Sequence, residues 1–399
     1  MLYNVENKAR KPFSKDPDNY MEWGAINVTV AEATQWIEDL LANAMAGESI
    51  QEELSMGAKF VTPLLKISRP GDLIVVGNSW FTSRVPFHAL QIGHDKNSGD
   101  LMTLCERNNI IYAPSLLTLK HCMDRVTRFR ARTSSKIPRG TVRVSMCAIP
   151  PVDTTKAALK QMREAKELVK KQWGAYSIAT FSGREANLAD VKDQLMRTTD
   201  FVHFLGEVGL KPAGGEPAMT RVKLGPKVTM TARDIAREFR FSGGSSPVVI
   251  VLYITTEKKS DDVKGKGKGP AVPPPTLANV PDGIVPAFIQ AGAATVVSTL
   301  WPVPVKAAAR FGELLHSDFQ SMRAKGREES RVWDVACAVH GAACQLRWER
   351  GEADPHWAAF VVTGAWVRGT NIGGRVVSEG KGMQTDKESY EQAGGWTRV

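Results

Sequence analysis

Seven consecutive apolar residues, Val248-Val-Ile-Val-Leu-Tyr-Ile254, constrain the fold more than any other segment. Side chains of a strand alternate between two faces, so a run that is apolar on both alternations must be covered on both. A sheet with one wet face does not provide that cover. A mostly parallel sheet with crossover helices on each side does. The rest of the chain agrees, because short apolar runs bounded by Gly, Asp and Pro alternate with helical periods beyond the first seventy residues. Strands are expected at Asp72–Gly77, Val142–Ile149, Tyr176–Phe181, Phe201–Gly206, Val248–Thr256, Ala294–Leu300 and Phe360–Val367.

Helical spacing fills the gaps between them. Thr155–Trp173 places Leu159, Met162, Ala165, Val169 and Trp173 on one face. Ser182-Gly-Arg-Glu185 reads as a capping box that would start a helix over Gly183–Met196, and Thr231-Ala-Arg-Asp234 is a weaker variant. Residues 1–70 read as an amphipathic helical lead-in, with one helical pattern over Asn27–Met45 and a second over Ile50–Ile67 that Pro63 should kink or break. The main domain is expected over 71–369. Glu257–Pro275 (257–275), with its Lys-Gly repeats and proline run, reads as a surface insert, and Thr370–Val399 (370–399) as a frayed tail.

Composition removes several classes. Of 399 residues, 43% are hydrophobic and 24% charged, which is ordinary globular usage rather than that of a disordered or fibrous chain. No apolar run reaches the length of a membrane span, and the first thirty residues lack the apolar core of a secretory signal. Five Cys at 105, 122, 147, 337 and 344, without a CxxC spacing, suggest a reduced, cytoplasmic protein with no disulfide framework, no zinc module and no other metal site. Cys337 and Cys344, with Val332, Trp333 and Leu346, read as helix core, and Trp301 and Trp357 as filling between sheet and helices. GKGKG at 265–269 lacks the spacing of a phosphate loop, and GNSW at 77–80 lacks the second Gly of a nucleophile elbow, so no cofactor is expected. The net charge of +10 is uneven. From Lys120 to Arg143 eight Lys or Arg face Asp124 alone, so Arg125, Arg128, Arg130 and Arg132 are candidates to hold an anionic partner, nucleic acid included. Phe129 is the only aromatic residue there, which argues against base stacking and for a solvated helix end.

The order of certain blocks is more specific than any of these. VPFHAL (85–90), IIYAPSL (110–116), FSGREAN (181–187), HFLGEVG (203–209), PVVIVLYITT (247–256), AFIQAGAATVVSTLWPV (287–303) and HWAAFVVTGAW (356–366) occur in sequence. This series resembles the CHAT domain family, a caspase-like peptidase group often joined to tetratricopeptide repeats, over roughly residues 50–367. The resemblance implies an α/β fold: a caspase-like three-layer sandwich with a mostly parallel central sheet, here preceded by N-terminal helices. It also implies a catalytic His at the end of one strand and a Cys at the end of the next. His203 matches the leading, non-catalytic His of that motif; the catalytic His position is Glu207, and the nucleophile position is Thr255.

Both substitutions remove chemistry. A thiol with a pKa of about 8.5 is held as thiolate by a neighbouring imidazolium. A threonine hydroxyl is far less acidic, and a carboxylate with a pKa of about 4.3 is a weak base that brings no positive charge. The expectation is a pseudo-peptidase whose cleft, lined by His203, Gly206, Glu207, Gly209, Thr255 and Thr256, holds a protein or peptide partner without cutting it. A tetratricopeptide-repeat partner follows from family habit alone. Two alternatives stay open: a cysteine peptidase using non-standard residues, such as His203 with Cys147, and a binder of anions through segment 120–143.

Overall fold

The computed structural model describes residues 2–4, 30–77, 85–94, 99–132, 144–149, 156, 160, 163–164, 167, 178–182, 201–206, 208–209, 221–223, 229–239, 241, 249–252, 255–256, 279–325 and 330–371. Its centre is a nine-stranded sheet. In chain order the strands are β1 (Leu2–Asn4), β2 (Leu73–Gly77), β3 (Asn109–Ala113), β4 (Val144–Ile149), β5 (Ile178–Ser182), β6 (Phe201–Gly206), β7 (Val249–Leu252), β8 (Thr295–Thr299) and β9 (Phe360–Gly364). In space they run β1-β2-β3-β9-β8-β7-β6-β4-β5. Parallel pairing joins β2, β3 and β9 in one block and β8, β7, β6, β4 and β5 in another. The blocks meet antiparallel at β8/β9, with Thr295 level with Gly364 and Thr299 with Phe360. The sheet is therefore mostly parallel, and its two blocks point in opposite directions.

Cover on both faces follows from burial. Thr295–Thr299 and Phe360–Gly364 are buried at every position, and so are Leu73–Val76 and Ile110–Ala113. The covering helices are α1 (Val30–Ala46), α2 (Gln51–Met56), α3 (Ala58–Ile67), α4 (Leu104–Arg107), α5 (Leu116–Arg132), α6 (Ala232–Glu238), α7 (Asn279–Ala291), α8 (Val305–Lys325) and α9 (Val335–Arg350). Phe311 of α8 stacks on Phe360 of β9 with ring centroids 3.6 Å apart. The helical lead-in belongs to the same core: Trp36, Leu40 and Leu54 join one buried cluster with Leu90, Leu104 and the sheet.

Local signals explain most boundaries. The Thr231–Asp234 pair forms a complete capping box on α6, each backbone N–H bonded to the other residue's side chain. The second lead-in pattern breaks at Gly57 rather than at Pro63, which sits inside α3. A Cβ at Gly57 would come within 2.6 Å of Leu90 and 2.7 Å of Trp36, so the chain turns where backbone packs tightly on side chains. Within the strand expected over Val248–Thr256, Val249–Leu252 belongs to the central sheet and Thr255–Thr256 to a separate two-stranded pairing. Val367–Asn371 pairs antiparallel with Ser330–Asp334, so residues 370 and 371 are on a strand, which also puts Val332 and Trp333 on a strand rather than a helix; residues 372–399 lie outside the described residues. The expected helix over Gly183–Met196 and the insert at 257–275 lie outside the described residues.

Gly364 ends β9 at φ +99°, and a Cβ there would stand 2.5 Å from the Ala294 carbonyl oxygen. Gly364→Ala combines a backbone conformation that L-residues avoid with a clash against main chain, and should cost about 2–3 kcal/mol in denaturant unfolding.

Candidate functional site

The carboxyl ends of β6, β7 and β8 lie side by side, and in parallel sheets such ends are where chain crossovers leave a crevice. Beyond β7 and β8 the chain continues as a short parallel pair in which Thr255 is level with Val303 and Thr256 with Pro304. On the other side of β8, its next residue Leu300 donates its N–H to the Ala359 carbonyl at 2.8 Å. This bond ties the strand end to the 3-10 turn Pro355–Ala359 that leads into β9. Trp301 and Trp357 are both buried beneath this edge, and the indole nitrogens of both have no hydrogen-bond partner. Their burial fits the filling between sheet and helices expected from sequence.

The turn before β9 carries an ordered charge group. Asp354 caps the 3-10 turn by accepting the His356 N–H at 2.8 Å, and its Oδ1 meets His356 Nδ1 at 2.5 Å while Arg350 pairs with Oδ2. Burial pushes the Asp354 carboxyl up, but the His356 ring and backbone bonds and Arg350 outweigh it and hold the group at about 2. Sequence reading did not single out this group; a short Asp-Pro-His turn before a strand is a common cap and signals nothing more by pattern alone.

The sequence-assigned residues are distributed as follows. Thr255 and Thr256 stand at the strand-end edge beside Val303. Gly206 ends β6, level with Ile149, and Gly209 begins a small antiparallel pairing with Arg221. Glu207 lies outside the described residues. In the β6/β7 pairing Leu252 is level with Phe204, and positions 255 and 207 each follow three residues later. His203 corrects the expectation of a cleft-lining side chain. It is 1% exposed, and its Nδ1 meets His316 Nε2 of α8 at 3.0 Å, so it belongs to the layer between sheet and helix. Burial first, and then the neighbouring His316, push the His203 imidazole well below its ordinary range, so it is neutral.

The same register removes the His203–Cys147 couple. His203 is level with Met146, and Cys147 with Phe204. Residues one step out of register belong to opposite faces of a pleated sheet. Two of the described thiols, Cys122 and Cys337, are held in the neutral form. Burial pushes Cys122 up to about 11 and Cys337 up to about 12, the latter helped by Asp334 and Asp318. Among the described residues no cluster of His, Cys, Asp or Glu could hold a metal ion.

The basic segment has a structural use at its one described arginine side chain. Arg125 Nη1 donates to the carbonyls of Ile289 at 2.6 Å and Ala293 at 2.9 Å, closing the end of α7. Arg128, Arg130 and Arg132 lie on α5, and their side chains are outside the described residues. No helix among the described residues is long and apolar enough to cross a membrane.

The CHAT domain family model matches residues 40–365. No curated protein matches the chain. Among solved structures, the Saccharomyces cerevisiae separase–securin complex is similar at 15% identity and TM-score 0.42, over 73% of this chain and 15% of that one. The Arg-specific cysteine proteinase gingipain R is similar at 8% identity and TM-score 0.42, over 65% and 54% of the two chains. The complex of Porphyromonas gingivalis RgpB pro- and mature domains is similar at 9% identity and TM-score 0.44, over 83% and 71%. The chain thus spans about 15% and 54% of the first two structures.

Proposed function

We propose that this chain, which belongs to the CHAT domain family, is a degenerate member: a pseudo-peptidase that serves protein interaction or regulation through its strand-end cleft. The observation that carries this reading is Thr255 at the strand-end edge where the nucleophile is expected, with Glu207 at the position of the base. A hydroxyl beside a carboxylate lacks both the acidity and the positive charge that make a thiolate available. The neutral, buried His203–His316 pair and the high thiol pKa values at Cys122 and Cys337 support it, since neither supplies a substitute dyad. The partner class we assign is an extended peptide or a protein segment. A tetratricopeptide-repeat protein fits that class by family habit. An anionic partner is the weaker reading, because Arg125 donates to two backbone carbonyls.

The test uses purified full chain with a mixed library of internally quenched peptides and a thiol-directed electrophile. We expect no turnover above buffer, and no rapid stoichiometric labelling. Turnover that disappears in Thr255→Ala or Glu207→Ala would end the pseudo-peptidase reading. So would fast labelling of a single Cys that depends on a nearby His.

A further inference from the structure

Cys105 and Cys344 are 239 residues apart in sequence, yet their sulfurs lie 3.6 Å apart in the core, where α4 packs on α9. Each residue is 8% exposed. The surroundings hold the two elements in place independently of the sulfurs: Arg347, one turn beyond Cys344, pairs with Glu106, next to Cys105, at 3.1 Å. The Thr103 hydroxyl, 3.4 Å from the Cys105 sulfur, fixes the other side. Two thiols in van der Waals contact on elements already clamped together need to close by only about 1.5 Å to bond.

We propose that Cys105 and Cys344 are a modification site, an oxidisable dithiol that closes to a disulfide with a peroxide as oxidant. In the first step the Cys105 sulfur attacks a peroxide oxygen, the O–O bond breaks, and with hydrogen peroxide the leaving hydroxide takes up the Cys105 thiol proton to become water. In the second, the Cys344 sulfur attacks the Cys105 sulfenic acid, the S–O bond breaks, and a second water leaves. Two thiols lose two protons and two electrons, and the peroxide is reduced. The hydrogen bond with Cys105, and then burial, keep the Cys344 thiol protonated, so it does not initiate; its proton leaves with the sulfenic hydroxyl as the second water. The bond would close a loop through most of the sheet and join the hairpin of Gln91–His94 with Leu101–Thr103 to the helix that precedes the 3-10 turn Pro355–Ala359. This inference is independent of the pseudo-peptidase reading.

The experiment treats the purified full chain with hydrogen peroxide, blocks free thiols, digests without reductant and maps linked peptides by mass. The expected result is one dominant pair joining the Cys105 and Cys344 peptides, reversed by dithiothreitol and absent in Cys105→Ser and Cys344→Ser. The oxidised chain should melt about 5 °C higher than the reduced one. Irreversible oxidation of either thiol without a linked pair, or linkage to Cys122 or Cys337 instead, would overturn the proposal. The wild-type peptide map decides the matter even if a serine variant fails to fold.

Discussion

Acidification from pH 7 to pH 5 should remove several kcal/mol of stability and bring the protein to the edge of unfolding. Four imidazoles, those of His88, His203, His316 and His340, are buried at 3% exposure or less. Burial pushes His316 down to about 4 and His340 down to about 3. It drives His88 and His203 lower than the usual range as well, and in each of these a neighbouring imidazole adds to the effect. All four are neutral in the fold, whereas the unfolded chain takes up protons near pH 6.5. The unfolded state therefore binds more protons below that pH, and stability is fully present above it. The loss grows as pH falls through 6 and 5 and levels off only near the folded values of about 4 for His316 and about 3 for His340. At pH 5, His316 and His340 each contribute a loss of about 2 kcal/mol. The net stability of a folded domain is about 5–15 kcal/mol, so the effect is large. Urea unfolding at pH 7, 6 and 5 measures it. A flat profile would show that these rings take up protons in the folded state as readily as in the unfolded one. His340→Gln should reduce the slope by about 1.4 kcal/mol per pH unit.

Replacing Arg347 by Met should destabilise the fold by about 3–5 kcal/mol. Its side chain is 3% exposed, and it bonds to Glu106 at 3.1 Å, to Glu352 at 2.5 Å and to the Leu101 carbonyl at 2.9 Å. The guanidinium also stands 5.3 Å from the centroid of the Trp357 ring. The substitution leaves Glu106, whose side chain is 22% exposed, without its cation, and it leaves a carbonyl without its donor. Guanidinium chloride unfolding gives the magnitude. The double variant Arg347→Met with Glu106→Gln should recover part of the loss, because the stranded charge is then gone. A single-variant loss below about 1 kcal/mol would mean that water reaches the site and replaces the bonds.

The sheet was legible in the sequence where burial and pattern coincide. Phe201–Gly206 is observed with the expected ends, Val144–Ile149 shares its expected carboxyl end, and Thr295–Thr299 is shorter than expected by one residue at each end. Asn109–Ala113 is a strand that sequence pattern does not reveal, because five residues ahead of a Pro carry too little period to separate strand from turn. The edge containing Thr255 was legible through the order of the blocks, and "STLWPV" supplied Val303 as its neighbour without any signal that the two would pair. The His203–His316, Cys105–Cys344 and Arg347–Glu106 contacts were not legible. Each joins elements more than a hundred residues apart, and nothing in local pattern distinguishes a buried His, Cys or Arg that meets a partner from one that faces water.

The place of β9 in the sheet has a consequence for synthesis. Phe360–Gly364 is the last strand of the sheet to leave the ribosome, yet it is the piece that joins β3 to β8. Until it arrives, the nascent polypeptide holds two half-sheets, each with an apolar border open to solvent, and such borders recruit strands from other chains. Closure of the sheet therefore waits for the last of its nine strands in chain order. A chaperone that shields those borders would act during the longest interval of the protein's life in which it is unfinished.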